Sequence, residues 1–431
     1  MNIKQLFQVS CLTLAVSTSA FTTANAGQLA DIYQLALAND PQLKAAQASF
    51  NAGKEVEVQS KAALLPNLSL SANTTAFDTD TSNYNNHGYT LALSQPVFNA
   101  ASWFTFKQGK VLSQQAGLRF DLEQQNLIQR TVEAYLGVLR AKSDLQTSEA
   151  QERAIKRRLD QVNAQFEVGL IANTDVQEAQ ASYDNARVAR ISAEGDLDNS
   201  YEALERLTGK SFNLVGSLSD DYPIEEPVPA QSQPWLEKAR ASNISLKIAD
   251  LSSEAARRAA QAGRAGHYPT LSLTANYDYD KGTAISNQGA DTSSIGLSLS
   301  VPLFSGGSVS SKSRELEQNL IETQFNRENT LREVTQSTRS LLRDLRTGSL
   351  SVQALKQSTK SSETALQATE EGYKVGTRNV VDVLQAEQQL YASQRDYAAA
   401  RFNFVQNLIT FKQQIGTLNP EDINELDSWL Q

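Results

Sequence analysis

The chain has 431 residues, 40% hydrophobic and 20% charged, with a formal net charge of −9. That acidic balance argues against a nucleic-acid partner. With one cysteine (Cys11) and two distant histidines (His87 and His267), neither a disulfide framework nor a histidine metal site or catalytic triad is expected.

Residues 1–26 read as a secretory signal peptide: Lys4, an apolar run through Val9, Leu12, Leu14, Ala15 and Val16, then the small-x-small site Ala24-Asn25-Ala26. Cys11 lies inside it, and its removal takes the charge to −10. Beyond it no stretch approaches the roughly 20 apolar residues of a spanning helix, so any membrane contact must come from strands. Alternating segments occur at 68–74 (LSLSANT) and 89–94 (YTLALS), and again at 271–279 (LSLTANYDY) and 295–301 (IGLSLSV). Period-two alternation predicts strands with one apolar and one polar face. Their polar faces are small and uncharged, as in a water-filled lumen. The connecting stretches 77–86 and 280–293 read as long polar loops. Tyr89, Phe98, Trp103, Phe104, Tyr277, Tyr279 and Phe304 gather at strand ends like an interfacial girdle. Four strands leave two open edges, which lipid does not tolerate, so the barrel must close with copies of the same chain.

Proline is absent from 97–222 and from 303–419 and clusters at Pro223, Pro227, Pro229 and Pro234. Because proline breaks helix interiors, two very long helices are predicted, at 101–167 and 308–374. Ile155, Leu159, Val162 and Phe166 keep a 4-3-4 spacing to the end of the first; Gly109, Gly117 and Gly137 each oppose it by about 1 kcal/mol.

The chain repeats itself without a gap between 166–209 and 373–416: Gly169 matches Gly376, Asp175 matches Asp382, Val176 matches Val383, Ala179 matches Ala386 and Gly209 matches Gly416. Each copy is a glycine turn followed by a helix. In the second, Val383, Leu390, Tyr397, Phe404 and Phe411 form a heptad seam, and Leu384, Tyr391, Ala398 and Val405 a second one about 100° round the helix. Two seams call for a partner on each side. The strands repeat as well, LLPNLSLSAN with HYPTLSLTAN and LALSQPVF with LSLSVPLF, so one unit is used twice. The first is expected over 27–225 (strand pair 64–98, long helix 101–167, tip turn 168–174, helix to 209). The second is expected over 226–431 (strand pair 268–303, long helix 308–374, tip turn 375–380, helix to 416, short tail). The many Asp/Glu pairs on the helices read as a solvated face, and with no phosphate loop neither an enzyme nor a cofactor is expected.

VGLIANTDVQEAQ (168–180), EEGYKVGTRNVVDVLQAEQQLY (370–391), LLPNLSL with HYPTLSL, SVPLFSGG (300–307) and FKQQIGTLN resemble the TolC-like outer membrane efflux proteins, over nearly the whole chain beyond the signal. The resemblance implies an α+β, mostly α fold: a trimeric outer-membrane β-barrel with four strands per chain, continuing into a periplasmic α-helical coiled-coil barrel. A mixed belt midway would be built from 27–40, 210–242 and the C-terminal tail. It implies a homotrimer in outer-membrane lipid, serving as the passive exit duct for efflux or type I secretion and engaged by a periplasmic adaptor and an inner-membrane transporter. It further implies a tip latch of Thr174, Asp175, Tyr373 and Arg378, with Arg378 on Thr174 and Tyr373 on Asp175. A constriction at Asp382 is implied too, with Gln385 where the family pattern has a second aspartate, and adaptor contact at Gly169, Leu170, Gly376 and Thr377. The alternative is a periplasmic helical scaffold without a pore.

Overall fold

The computed structural model describes residues 29–212, 215–282 and 289–430; the predicted signal peptide, with Cys11, lies outside them. Along the chain come helices α1 (Leu29–Asn39) and α2 (Pro41–Ala62), strands β1 (Asn67–Thr79) and β2 (Ser82–Phe98), and helices α3 (Ala100–Glu167) and α4 (Asn173–Thr208). The second half follows with α5 (Ser232–Ser242), α6 (Ile244–Arg264), β3 (Thr270–Gly282), β4 (Ala290–Ser300), α7 (Ser308–Lys374), α8 (Val380–Gln414) and the short α9 (Glu421–Asp427).

The strands form one antiparallel sheet in the order β1-β2-β3-β4. Its register puts Leu68 opposite Leu93, Leu70 opposite Leu91, Leu273 opposite Leu297 and Ala275 opposite Ile295. Directly opposed residues share a face, so one face is an apolar band; Leu68, Leu70, Ile295, Leu297 and Leu299 are 64–78% exposed on it. The other face pairs Ser71 with Thr90, Ser272 with Ser298 and Asn276 with Ser294. The stretch 77–86 is not a loop. Pairing continues to Thr79 opposite Ser82, with Phe77 stacked on Tyr84 at 4.8 Å. Asn, Thr and Ser had replaced the apolar members of the alternation without disturbing the backbone ladder. Of 280–293, only 283–288 lie outside the described residues, and strand covers most of the rest. Tyr89, Tyr277 and Tyr279 consequently sit partway along their strands, with rings 5.1–6.1 Å apart. Nine positions separate Tyr89 from Phe98. At about 3.3 Å per residue and a tilt of about 40°, they span roughly 23 Å, close to the apolar height of a membrane barrel.

The two long helices run 68 and 67 residues, about 100 Å each. Asn99 starts α3 by accepting a hydrogen bond from the Ser102 amide at 3.0 Å. Gly109 is buried, and a Cβ there would lie 2.0 Å from the Ser60 hydroxyl of α2. Its helix-propensity cost is therefore offset by close approach of the two backbones. Near the sheet the helices stand in the row α2, α3, α6, α7; below, in the row α4, α3, α8, α7. The two seams of α8 behave as their spacing requires. Phe404 and Phe411 pack with Leu342 and Leu345 of α7, whereas Leu384 packs with Ile155, Leu159 and Val162 of α3. At mid-height Leu29, Ile32 and Tyr33 of α1, Val215 and Leu218 of the connector, and Ile423 and Leu426 of α9 pack on α3 and α8 in one core.

Candidate functional site: the paired glycine tips

Both glycine turns lie at the end of the helices remote from the sheet, and they have the same construction. Gly169 (φ 75°) and Gly376 (φ 79°) are left-handed, a region that costs other residues steric energy. In the first turn the Leu170 amide donates to the Gln165 carbonyl at 2.9 Å; in the second the Thr377 amide donates to the Gly372 carbonyl at 2.9 Å. Val168, Leu170 and Val375 are 70–74% exposed beside them, an apolar rim with no cover within the protomer.

Asp175, Tyr373, Gly376 and Arg378 line one cleft of about 490 Å³ between the tips, together with Gln161, Gln165 and Leu170. Within one protomer these side chains make other contacts. The Tyr373 hydroxyl donates to Gln165 Oε1 at 2.6 Å rather than to Asp175. Arg378 Nη1 stands 4.0 Å from Asp382 Oδ2 rather than on Thr174, which is exposed. The reason is local: Asp382 occupies the third helical position of α8 in a capping box. Its amide donates to Asn379 Oδ1 (2.8 Å) and its carboxylate accepts from the Asn379 amide (3.1 Å), which places negative charge one turn from Arg378. Gln385 is exposed three residues on from half-buried Asp382, so the two share the open face of the helix.

Two to three turns above the turn lies a charged cluster that sequence reasoning missed. Arg158 of α3 reaches Glu370 of α7 at 2.5 Å and Glu387 of α8 at 3.1 Å. Its side chain is 11% exposed and that of Glu387 only 5%. Desolvation pushes the Glu387 carboxyl above its ordinary 4.5, opposed by Arg158. Glu387 Oε2 and Arg158 Nε have no hydrogen-bond partner among the described residues. Spacing could have shown it: Glu387 falls between Val383 and Leu390 at a 4-3 interval, an acid in an apolar seam. Among the described residues no group of three His, Cys, Asp or Glu side chains is placed to hold a metal ion.

Residues 32–210 and 235–417 each match the family described as "Outer membrane efflux protein", so the match itself falls into two halves. The chain is 32% identical to the outer membrane protein TolC of Vibrio cholerae over 97% of its own length and 98% of that protein, and 33% identical to TolC of Escherichia coli K12 over 97% and 88%. The alkaline protease secretion protein AprF of Pseudomonas aeruginosa is 29% identical over 92% and 85%. Among solved structures, CusC, described in terms of folding and transmembrane channel formation, superposes with a TM-score of 0.81 at 18% identity, covering 92% of this chain and 95% of that one.

Proposed function

The chain belongs to the outer membrane efflux protein family, and from that premise we propose that three copies close one continuous duct across the outer membrane and periplasm, opened at its glycine tips by an adaptor and an inner-membrane transporter. The protein is an outer-membrane exit duct for efflux and type I secretion, with its helical part in the periplasm. The sheet carries the finer reading. It exposes an apolar band between two aromatic levels, presents a small polar face opposite, and leaves β1 and β4 without a second neighbour among the described residues. Backbone groups on such edges cannot face lipid unpaired, and β4 of one copy meeting β1 of the next satisfies them. Three copies give twelve strands and continue each helical row into a closed wall.

Within one protomer the tips are joined by Tyr373 on Gln165 and by the nearly buried Arg158 cluster above, while Arg378, beside Asp382 of the same turn, is 60% exposed and is left for a contact with a neighbouring copy. Exposed pairs contribute only about 0.2–1 kcal/mol each, a strength that a docking partner can overcome. The exposed Leu170, beside Gly169, and Val375, beside Gly376 and Thr377, offer that partner apolar contact. Single-channel conductance in planar bilayers tests the reading. Tyr373→Phe combined with Arg378→Ser is expected to raise it above the wild-type value. An unchanged conductance removes these residues from the latch, and recovery of the wild type in the soluble fraction, away from outer membranes, favours a scaffold instead.

A further inference from the structure

The repeat that builds both halves breaks just below the sheet. Pro96 and Phe98 match Pro302 and Phe304 at an offset of 206, but at the same offset Trp103, Lys107 and Lys110 of α3 meet Val309, Ser313 and Leu316 of α7. Both halves make the same passage from strand to long helix, so the fold does not require the aromatic ring and the two lysines. Lys61 of α2 matches Arg264 of α6 at an offset of 203. Arg264 is paired with Glu317 at 2.8 Å, whereas Lys61 makes no ion pair among the described residues.

Lys61, Lys107 and Lys110 come together on one face of the helical wall. Helix α2 rises toward the sheet and α3 descends from it, and they touch along Gly53, Val56 and Ser60 against Gly109 and Ala116. Two antiparallel helices are related by a two-fold axis perpendicular to their common plane, so a residue one step past the contact line turns about 100° to the same face in both. Lys61 follows Ser60, and Lys110 follows Gly109. Lys107 and Trp103 precede Lys110 by three and seven positions and share its side. The opposite face of the pair carries Ala52, Gln59, Ala101, Thr105 and Gln108, uncharged like the lumen side of the strands, so the lysines face outward.

Their height is that of lipid headgroups. The Leu64 carbonyl, one turn past Lys61, accepts from Gln95 Nε2 at 3.1 Å near the foot of β2, and Val97, Phe98 and Trp103 are 48–55% exposed beside it. Trp103 lies five positions past Phe98, roughly 7 Å lower along a helix, within the layer of about 5–8 Å that separates hydrocarbon from water in each leaflet. Helical side chains lean toward the helix N-terminus, which in α3 is the membrane side, and Lys107 Nζ accordingly lies 4.9 Å from the centre of the Trp103 ring. Lys107 and Lys110 form no ion pair among the described residues, and the acids of the adjoining turns of α2, Glu55 and Glu57, form none either.

Resting on the reading that the sheet closes a membrane barrel, we propose that Lys61, Lys107 and Lys110, beneath Trp103, bind the phosphate of an anionic phospholipid in the periplasmic leaflet of the outer membrane. Three ammonium groups on flexible stems act as point charges on phosphate oxygens, and an exposed indole between the apolar band and water packs on the glycerol and upper acyl chain. A phosphodiester whose headgroup carries no cation, as in phosphatidylglycerol, is favoured over a zwitterionic one, whose own cation the lysines repel. On a chain with a net charge of −9, the cluster supplies a local attraction to an anionic leaflet.

Brominated lipid tests it, because bromine quenches a nearby indole and the other two tryptophans, Trp235 and Trp429, pack on Phe411 and Tyr222 in the mid-height belt. The full-length protein is reconstituted in phosphatidylcholine bilayers containing a minor share of brominated phosphatidylglycerol or, in parallel, of brominated phosphatidylcholine. Quenching of the wild type is expected to show at least about a fivefold preference for phosphatidylglycerol at low salt, the effect of even one lysine beside an anionic surface. Lys61→Gln with Lys107→Gln and Lys110→Gln is expected to bring the ratio to about one, and arginine at the same three positions to keep it. Millimolar glycerol phosphate in solution is expected to leave the preference in place. A wild type without preference, or a preference that survives the three glutamines, overturns the site, and its loss to glycerol phosphate overturns lipid as the occupant. Protein recovered free of the bilayers, with no quenching by either lipid, removes the barrel reading itself.

Discussion

Arg158 of α3 ties α7 and α8 together from a nearly dry position between Glu370 and Glu387. Removing one member of a buried charged set leaves the rest uncompensated, at about 3–5 kcal/mol, whereas replacing the set by apolar groups is close to neutral. Arg158→Ala is therefore predicted to lower the thermal midpoint well below that of Arg158→Ala combined with Glu387→Leu; equal losses would show that the charge of Glu387 carries no penalty. The cluster also makes stability depend on pH. Burial raises the Glu387 carboxyl above 4.5, so on raising the pH the unfolded chain releases this proton before the folded one. The contribution of this group is then greatest below 4.5 and declines as the pH rises through the folded value. Between pH 4 and 7 the thermal midpoint of Glu387→Gln is expected to gain on that of the wild type, and a difference that stays flat with pH would contradict the assignment.

Within the long helices, glycine plays two unlike parts. At Gly109 a Cβ would stand 2.0 Å from the Ser60 hydroxyl and 3.0 Å from the Val56 carbonyl, while Gly137 has nothing within 4 Å of that position. Gly109→Val should force α2 from α3 and cost about 1–3 kcal/mol, and Gly137→Ala should stabilise by up to about 1 kcal/mol through helix propensity. Melting curves followed by circular dichroism distinguish them; losses of equal size would mean that close approach is not what selects glycine at 109. The same scale explains α8. One seam faces α7 through Phe404 and the other faces α3 through Leu384, so a single 35-residue helix is the wedge between the two long ones.

In the proposed ring of three, the charge multiplied by symmetry at the glycine tips would be that of Asp382. Its three copies around a lumen would focus a negative potential that favours cations. Within each protomer Arg378 stands 4.0 Å from that carboxylate and offsets part of it. Asp382→Ala is accordingly predicted to abolish most of the cation selectivity read from reversal potentials in a salt gradient, and Arg378→Ser alone to increase it. Selectivity unchanged by Asp382→Ala would move its origin to other acids, with Glu387 the next to be tested. With Gln385 exposed on the same face, a second ring of fixed charge is not available there to compensate.

The sequence by itself determined the elements and their duplication. Proline gaps, period-two alternation and the heptad seams of α8 are local patterns, and backbone geometry converts each into a strand or helix wherever it occurs. The 207-residue offset between the glycine turns likewise showed that both tips would be built alike. Only the tertiary structure decided which side chains meet between elements. Tyr373 bonds Gln165, 208 positions away, and Arg158 meets Glu387, 229 positions away. A shift of one residue along a helix moves a side chain about 1.5 Å and turns it 100°, so such pairings depend on the rotation and stagger of whole helices. The strand ends were hidden for a related reason. In 77–86 the ladder continues through Asn, Thr and Ser, held by backbone hydrogen bonds to a neighbour, which leave no mark on the order of apolar residues.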